Sequence, residues 1–344
     1  MDFVWATGMI LIFHAALVII LGRAPRKKPK LKHRPPVTII IPSYQNEKTI
    51  GKTLLSAKAL SYPEKEIIVV NDSKDKTPEI CKSLGIYCIQ NQKKLGKAKA
   101  MNLALKHTKT EFLIFLDADA LIERNALEKM LPWFENPETA VVFPKFVTRG
   151  RKTLISKLTN LENLYHSAFF RMHMFFGSAL SFRGCCCMIK RKTLQELGGW
   201  PEELTEDFAL ALKTQNKGYK IVYEPDTKVS VIEPESLKEL KPQRTRWGRG
   251  AARVLKKQKP PKTPQFFIHF LPYTVSLFLS LFALFFNPFL LVIFWFIHFY
   301  MIFLSEKETN PVLVFLFMLF YAPLVSVIYI TARWQGSLDQ RWSS

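Results

Sequence analysis

The chain has 344 residues, 48% of them apolar, and a formal net charge of +21. It can therefore bury a real core. Its cations crowd beside long apolar tracts, and zinc-finger spacing, an aromatic-rich RNA-binding strand and a separate basic tail are all missing. The charge points to an anionic membrane surface and away from nucleic acid.

Residues 3–21 are apolar apart from Thr7 and His14, a length that matches one membrane span. Basic residues follow this run instead of preceding it, and no small-residue cleavage site is evident, which argues against a signal peptide. Segment 1–22 is expected to be a transmembrane helix. Segment 23–35, basic and rich in proline, is expected to be an extended linker on anionic headgroups, on the cytoplasmic side by the positive-inside rule.

From residue 37 the pattern alternates between strands and helices. Strands are expected at 37–41, 66–70, 86–89, 112–116, 140–143, 185–189 and 219–223. Helices are expected at 48–60, from Thr77 as cap with Pro78 in the first turn, and at 96–107, 125–134, 191–197 and 206–217. Gly218 ends the last of these in a left-handed cap. This alternation predicts a parallel α/β sheet. Residues 153–176 form a long helix rich in Phe and Met that either lies on the membrane or covers a site. Residues 235–257 read as one or two basic amphipathic helices of the kind found in a bilayer interface. Three further spans are expected at 266–286, 288–304 and 311–331, the middle one short enough that a re-entrant pair is the alternative. The five cysteines, Cys81, Cys88 and the run Cys185-Cys186-Cys187, are odd in number and partly adjacent. They read as packed, reduced residues and not as a disulfide framework.

The chemistry starts at Phe112-Leu-Ile-Phe-Leu-Asp-Ala-Asp119. A continuous apolar run fits a strand buried on both faces, and such sheets bind ligands past the carboxyl ends of their strands. Asp117 and Asp119 repel each other there and need a cation. A hard divalent ion suits them and leaves room for phosphate oxygens. Two further signals follow in order: Thr205-Glu206-Asp207 behind Gly198-Gly199-Trp200, and Gln243-Arg244-Thr245-Arg246-Trp247 just ahead of the C-terminal apolar tract.

This ordered set resembles the membrane-integrated family-2 glycosyltransferases, the group that includes cellulose, chitin and hyaluronan synthases, over roughly residues 36 to 260. The resemblance implies a Rossmann-like domain of the GT-A type with interfacial amphipathic helices and about four transmembrane helices. The expected division is 1–22 span, 23–35 linker, 36–234 cytoplasmic catalytic domain, 235–264 interfacial helices, 265–332 three spans and 333–344 tail. It implies an integral, multi-pass plasma-membrane enzyme. The reaction is inverting, metal-dependent transfer of a hexose or N-acetylhexosamine from a nucleotide-diphosphate sugar, expected to be a UDP-sugar, to a growing polysaccharide. The alternative is a single transfer to a membrane lipid, as in ceramide glucosyltransferase-like enzymes. The four expected spans are fewer than polymer-secreting relatives usually have, and a homo-oligomer is the expected way for a second copy to complete a channel.

The resemblance also assigns residues. Asp207 is the general base, a role typically worth about 10²- to 10⁴-fold in rate, with Glu206 beside it at the acceptor. Asp117 and Asp119 hold Mg²⁺ or Mn²⁺. Pro42, Tyr44 and Glu47 belong to a Pro-x-Tyr-Asn-Glu-like signature carrying one inserted residue, Gln45. Asp72 reads the nucleobase. Lys97, at a helix start that itself favours anions, and Arg246, with its planar fork, contact the diphosphate together with Gln243. Trp247, Gly184 and Cys185 line the acceptor path.

Overall fold

The computed structural model describes residues 2–261, 263 and 287–338. The span expected at 266–286 lies outside the described residues. The chain opens with α1 (Asp2–Arg23) and then builds a domain around an eight-stranded sheet. The strands are β1 (Val37–Ser43), β2 (Lys65–Asn71), β3 (Tyr87–Gln90), β4 (Phe112–Leu116), β5 (Leu121–Ile122), β6 (Thr139–Arg149), β7 (Cys186–Lys190) and β8 (Lys220–Ile232), in the order β3-β2-β1-β4-β7-β6-β8-β5. The first half is parallel, and β1, with its run of isoleucines, is buried throughout its apolar part. β-Branched residues suit a strand packed on both faces.

The second half corrects the expectation of a parallel sheet. β7 runs antiparallel to both β4 and β6, and β5 antiparallel to β8. No sequence period distinguishes these two pairings when both faces are buried, as they are for all five residues of β4. β8 also runs on through Pro225 and Asp226, past the strand end expected at 223. A register shift opposite Pro144 and Lys145 absorbs them, since a bulge tolerates the missing donor.

The helices on the sheet are α2 (Ile50–Lys58), α3 (Thr77–Ser83), α4 (Lys97–Lys106), α5 (Ala126–Met130), α6 (Leu154–Phe175), α7 (Arg191–Glu196) and α8 (Glu206–Asn216). The helix expected at 125–134 divides into α5 and a 3₁₀ turn at Leu131–Glu135, where Pro132 interrupts it. Thr77 is not the cap of α3: Lys76 holds that position and Thr77 lies buried inside the helix. Thr205 does sit at the N-cap of α8 but makes no side-chain cap bond. Gly218, at a φ of 80°, ends α8 as expected.

α6 packs on both the sheet and the apolar helices. Its Phe170 ring meets Phe143 of β6, while Ala168, Phe169 and Met172 cluster with Ala15 and Val18 of α1. It is the layer between sheet and apolar helices. α9 (Leu237–Lys257) is one continuous helix despite Pro242. α10 (Pro288–Ser305), α11 (Pro311–Leu316), a π-helical turn at Phe317–Tyr321 and α12 (Ala322–Leu338) follow. Among the described residues three helices are long and apolar enough to cross a membrane: Phe3–Arg23, Pro288–Ser305 and Pro311–Gln335.

The linker after α1 is tied to the protein. Lys28 pairs with Glu224 at 2.5 Å, Lys32 with Glu135 at 3.8 Å, and Arg26 donates to the Arg171 carbonyl at 2.7 Å. Two of its cations are therefore matched by the domain's own carboxylates.

Candidate active site

The site forms where β1, β2 and β4 end. Past Leu116 the chain turns: the Asp117 amide donates to the Cys185 carbonyl at 2.9 Å, and the Ala120 amide to the Asp117 carbonyl at 3.0 Å. This leaves Asp117 and Asp119 half-buried on either side of buried Ala118. Burial, then the Asp117 charge, push the Asp119 carboxyl up to about 6.

Lys97 opens α4 behind Gly96. Its ammonium contacts Asp117 at 2.7 Å, Glu206 at 3.2 Å and the Gly184 carbonyl at 3.2 Å. Burial would lower this amine, but Asp117 and Glu206 outweigh it and hold it well above its ordinary value. One cation thus joins two acids that lie 89 positions apart in the chain, by subtraction of their residue numbers.

Asp207 sits beside this bridge. Its carboxylate accepts from the Gly184 amide at 2.8 Å and from the Phe208 amide at 2.8 Å. Burial, then Glu206, raise it to about 6 against the pull of Lys97. A Cβ at Gly184 would stand 3.1 Å from both Cβ and Oδ2 of Asp207, so any side chain there makes the carboxylate give way. The pair Gly184 and Lys97 connects Asp207 to Asp117, and all four are half-buried or deeper.

Asp72 is buried past β2 and organises the loop before α4. It accepts from the Leu95 amide at 3.0 Å, the Gly96 amide at 2.8 Å and Asn91 at 2.5 Å. Gln45, the inserted residue, takes a φ of 56° and donates its amide to Ser73 at 2.9 Å. One left-handed residue therefore absorbs the insertion. Tyr44 lies under the Lys94 ammonium, 3.9 Å from the ring centroid. Glu47 accepts from the Lys76 amide at 3.1 Å, and Pro42 continues β1 opposite Val70.

The third motif lies on α9, against the loop that carries the acids. Arg246 donates to the Leu204 carbonyl at 3.3 Å and is exposed. Trp247 stands 4.3 Å from the Arg244 guanidinium carbon and 5.9 Å from that of Arg183. Gln243 accepts from Arg244. Cys185 is half-buried, Cys186 and Cys187 are buried on β7, and all five cysteines are free. A hollow of 590 Å³ lined by Lys65, Ile67, Tyr87 and neighbours opens at the opposite ends of β2 and β3 and takes no part.

Sequence reasoning missed several residues here. Arg244, inside the third motif, is buried and pairs with Glu162 at 2.6 Å. Arg183 pairs with Glu233 at 3.0 Å, and Asn163 donates to Glu233 at 3.2 Å. Arg149, at the end of β6, donates to the Asp119 carbonyl at 3.0 Å. The available signal was position: Arg183 immediately precedes Gly184, and Arg244 lies between Gln243 and Arg246.

The donor set has a definite chemistry. Asp117 and Asp119 offer hard oxygens, and among the described residues no group of three or more His, Cys, Asp or Glu is preformed. Two carboxylates fit a divalent cation that keeps further positions for water and phosphate oxygens.

Residues 38–198 match the family model described as Glycosyl transferase family 2. Poly-beta-1,6-N-acetyl-D-glucosamine synthase of Staphylococcus aureus (strain COL) is 30% identical over 229 residues, 64% of this chain and 55% of that protein. The enzyme of the same name from Staphylococcus epidermidis is 31% identical over the same shares. The chain thus spans little more than half the length of these relatives. The solved mannosyltransferase PcManGT from Pyrobaculum calidifontis, in complex with GDP-Man and Mn²⁺, has a similar fold, with a TM-score of 0.65, 21% identity, and coverage of 99% of this chain and 98% of that one. The ordered acids, the mixed sheet that presents them and these matches agree: residues 38–198 are similar to family-2 glycosyltransferases, and the fold is of the GT-A type.

Proposed function

We propose that the chain transfers a hexose or N-acetylhexosamine from a nucleotide-diphosphate sugar to a growing polysaccharide at the membrane, with inversion. The observation that carries this reading is the joining of Asp117, Glu206 and Gly184 by one ammonium, with Asp207 on the Gly184 amide. Asp207 takes the proton of the acceptor hydroxyl as its oxygen attacks the anomeric carbon. The bond from that carbon to the diphosphate breaks in the same displacement. Lys97 and Arg246 draw the diphosphate, and Asp72 with the loop it anchors receives the base. A divalent cation, Mg²⁺ or Mn²⁺, held by Asp117 and Asp119 supplies positive charge for the departing diphosphate when bound.

The relatives' names make N-acetylglucosamine the first sugar to test, and UDP as its carrier follows from the resemblance of the motifs. The catalytic domain, 36–234, faces the cytoplasm beneath the span 1–22 and linker 23–35, with interfacial 235–264, a membrane segment 265–332 and a tail. A lipid acceptor is the second reading. It is favoured by the chain of contacts from Trp247 through Arg244 and Glu162 to Tyr321, which fixes the proposed acceptor side of the site to an apolar helix.

Purified protein in lipid is offered a panel of UDP- and GDP-sugars, with metal and with chelator, and released nucleotide is measured. Metal-dependent release with one donor supports the reading; none with any donor contradicts it. Sizing of labelled product separates a ladder from a single lipid-soluble species.

A further inference from the structure

The apolar stretch from Pro311 to Gln335 is 25 residues long with a mean hydropathy of 2.4. By length alone it would cross a bilayer. We propose instead that it lies in the plane of the membrane, as an interfacial helix clamped to α9, with its exposed face in the lipid headgroup–acyl boundary.

The first observation is the direction of its neighbours. α1 and α10 run side by side and parallel. The His298 ring bonds the Leu11 carbonyl at 2.8 Å, Gly8 abuts Phe294, and Ile302 clusters with Ala15 and Val18. Both helices end at the domain. Past α1, Arg26 bonds the Arg171 carbonyl. Past α10, Glu306 is buried against Lys145 at 2.6 Å and against Arg171. A helix that crossed after Glu306 would have to run back along α10.

The start of the stretch packs on α10, with the Phe317 ring 5.6 Å from that of Phe299 and 5.2 Å from that of Phe303. α12 then leaves α10, and its contacts lead along α9. Tyr321 lies 3.4 Å from Arg244, a Cβ on Gly248 would meet Ala332 at 2.8 Å and Tyr329 at 3.3 Å, and Arg249 donates to Gln335 at 2.7 Å. The two helices run in the same direction, in contact from the π-helical turn to the end of the apolar stretch.

α9 itself cannot enter hydrocarbon. Its 21 residues include Lys238, Lys241, Arg246, Arg249, Arg253 and Lys256. Charges at bilayer depth are costly and rare. α9 is also fixed to the catalytic loop: Gly250 abuts Thr205, and Lys257 pairs with Glu203 at 2.6 Å. A helix packed along its length is held at the same depth, one helix diameter away.

The remaining face of α11–α12 is apolar and open. Phe320, Val327 and Trp334, spaced by seven, are 62, 58 and 66% exposed, while Tyr321, Val325, Ile328 and Ala332 are buried on the other side. A wide apolar face backed by a cationic partner helix fits an anionic lipid surface. In-plane placement puts the end of this chain on the same side as the catalytic domain; a crossing puts it on the other.

The test uses the full chain in vesicles containing anionic lipid. Spin labels at Phe320→Cys, Val327→Cys and Trp334→Cys are read for depth by collision with oxygen and with a nickel chelate, each against the unsubstituted chain. The expectation is three similar, shallow depths. A steep gradient across these 14 residues, about 21 Å of helix at 1.5 Å per residue, overturns the proposal, and so does water exposure at all three. Independently, Ser83→Cys in the domain and Ser344→Cys are treated with a membrane-impermeant maleimide. Reaction from the same side is expected; reaction from opposite sides overturns it.

Discussion

Two clusters of acids and bases in this molecule use the same residue types to opposite ends. At the strand tips, Asp117 and Glu206 share the single ammonium of Lys97, and Asp207 stands beside them on backbone amides. Acids outnumber cations there, and the Asp119 and Asp207 carboxyls are pushed up to about 6. At the junction with the apolar helices, Glu162 has Arg244 at 2.6 Å and the Tyr321 hydroxyl at 2.6 Å, and Glu306 has Lys145, Arg171 and Ser167. Burial alone would raise the Glu162 carboxyl, but Arg244, then His166 and Tyr321, hold it below the usual range. A carboxylate surrounded by donors is a fastener. A carboxylate without a cation of its own, such as Asp207 on its two amides, is open to a proton or a metal ion, as active sites require.

The sharpest way to break this contrast is to remove one partner of the fastener. Arg244→Met leaves Glu162 charged and buried and should cost about 3–5 kcal/mol, seen as a lower melting temperature. The double variant with Glu162→Gln should recover most of that loss. Equal loss in single and double variants would mean the pair is not coupled. Next in size is Gly184→Ala. The new methyl, 3.1 Å from Asp207, forces the carboxylate to shift at a cost of about 1–3 kcal/mol, or about 5- to 150-fold if it appears in turnover. Rate should fall while melting temperature barely moves. Unchanged turnover would free Asp207 from its Gly184 anchor.

The smallest effect concerns pH. As the proposed base Asp207 would work ionised, and its carboxyl is raised, so turnover should rise with pH through about 6 and level off above it. Glu206 is the second cause of that rise after burial. Glu206→Gln should therefore move the acid limb of kcat/KM to lower pH. A limb that stays in place would assign the titration to another group.

Much of the fold was legible because the signals were local. The β4 run ending in Asp117, the β-branched β1, the cap at Gly218 and the segment from Gly96 to α4 are each written in fewer than a dozen residues. The antiparallel pairings in the sheet were not legible. β4, β7 and β6 are buried on both faces, so direction leaves no pattern in them. β5 is too short to read, with two residues, and Pro225-Asp226 in β8 mimics a turn. At the site, the acids were visible because they follow strong element signals. Their partners were not, because Arg183 finds Glu233 across 50 positions and Arg244 finds Glu162 across 82. The Trp247 ring could be placed in the motif, but not the guanidinium that lies over it.

The central claim is that the carboxylate of Asp207 takes a proton from the acceptor at a site where Asp117 and Asp119 hold the donor's cation. Asp207→Asn keeps the shape of this side chain and removes the base. Donor binding in the presence of metal, measured by calorimetry, is compared with turnover, measured as released nucleotide. The account predicts binding close to that of the unsubstituted chain and turnover lower by about 10²- to 10⁴-fold. Turnover at the unsubstituted rate would contradict it.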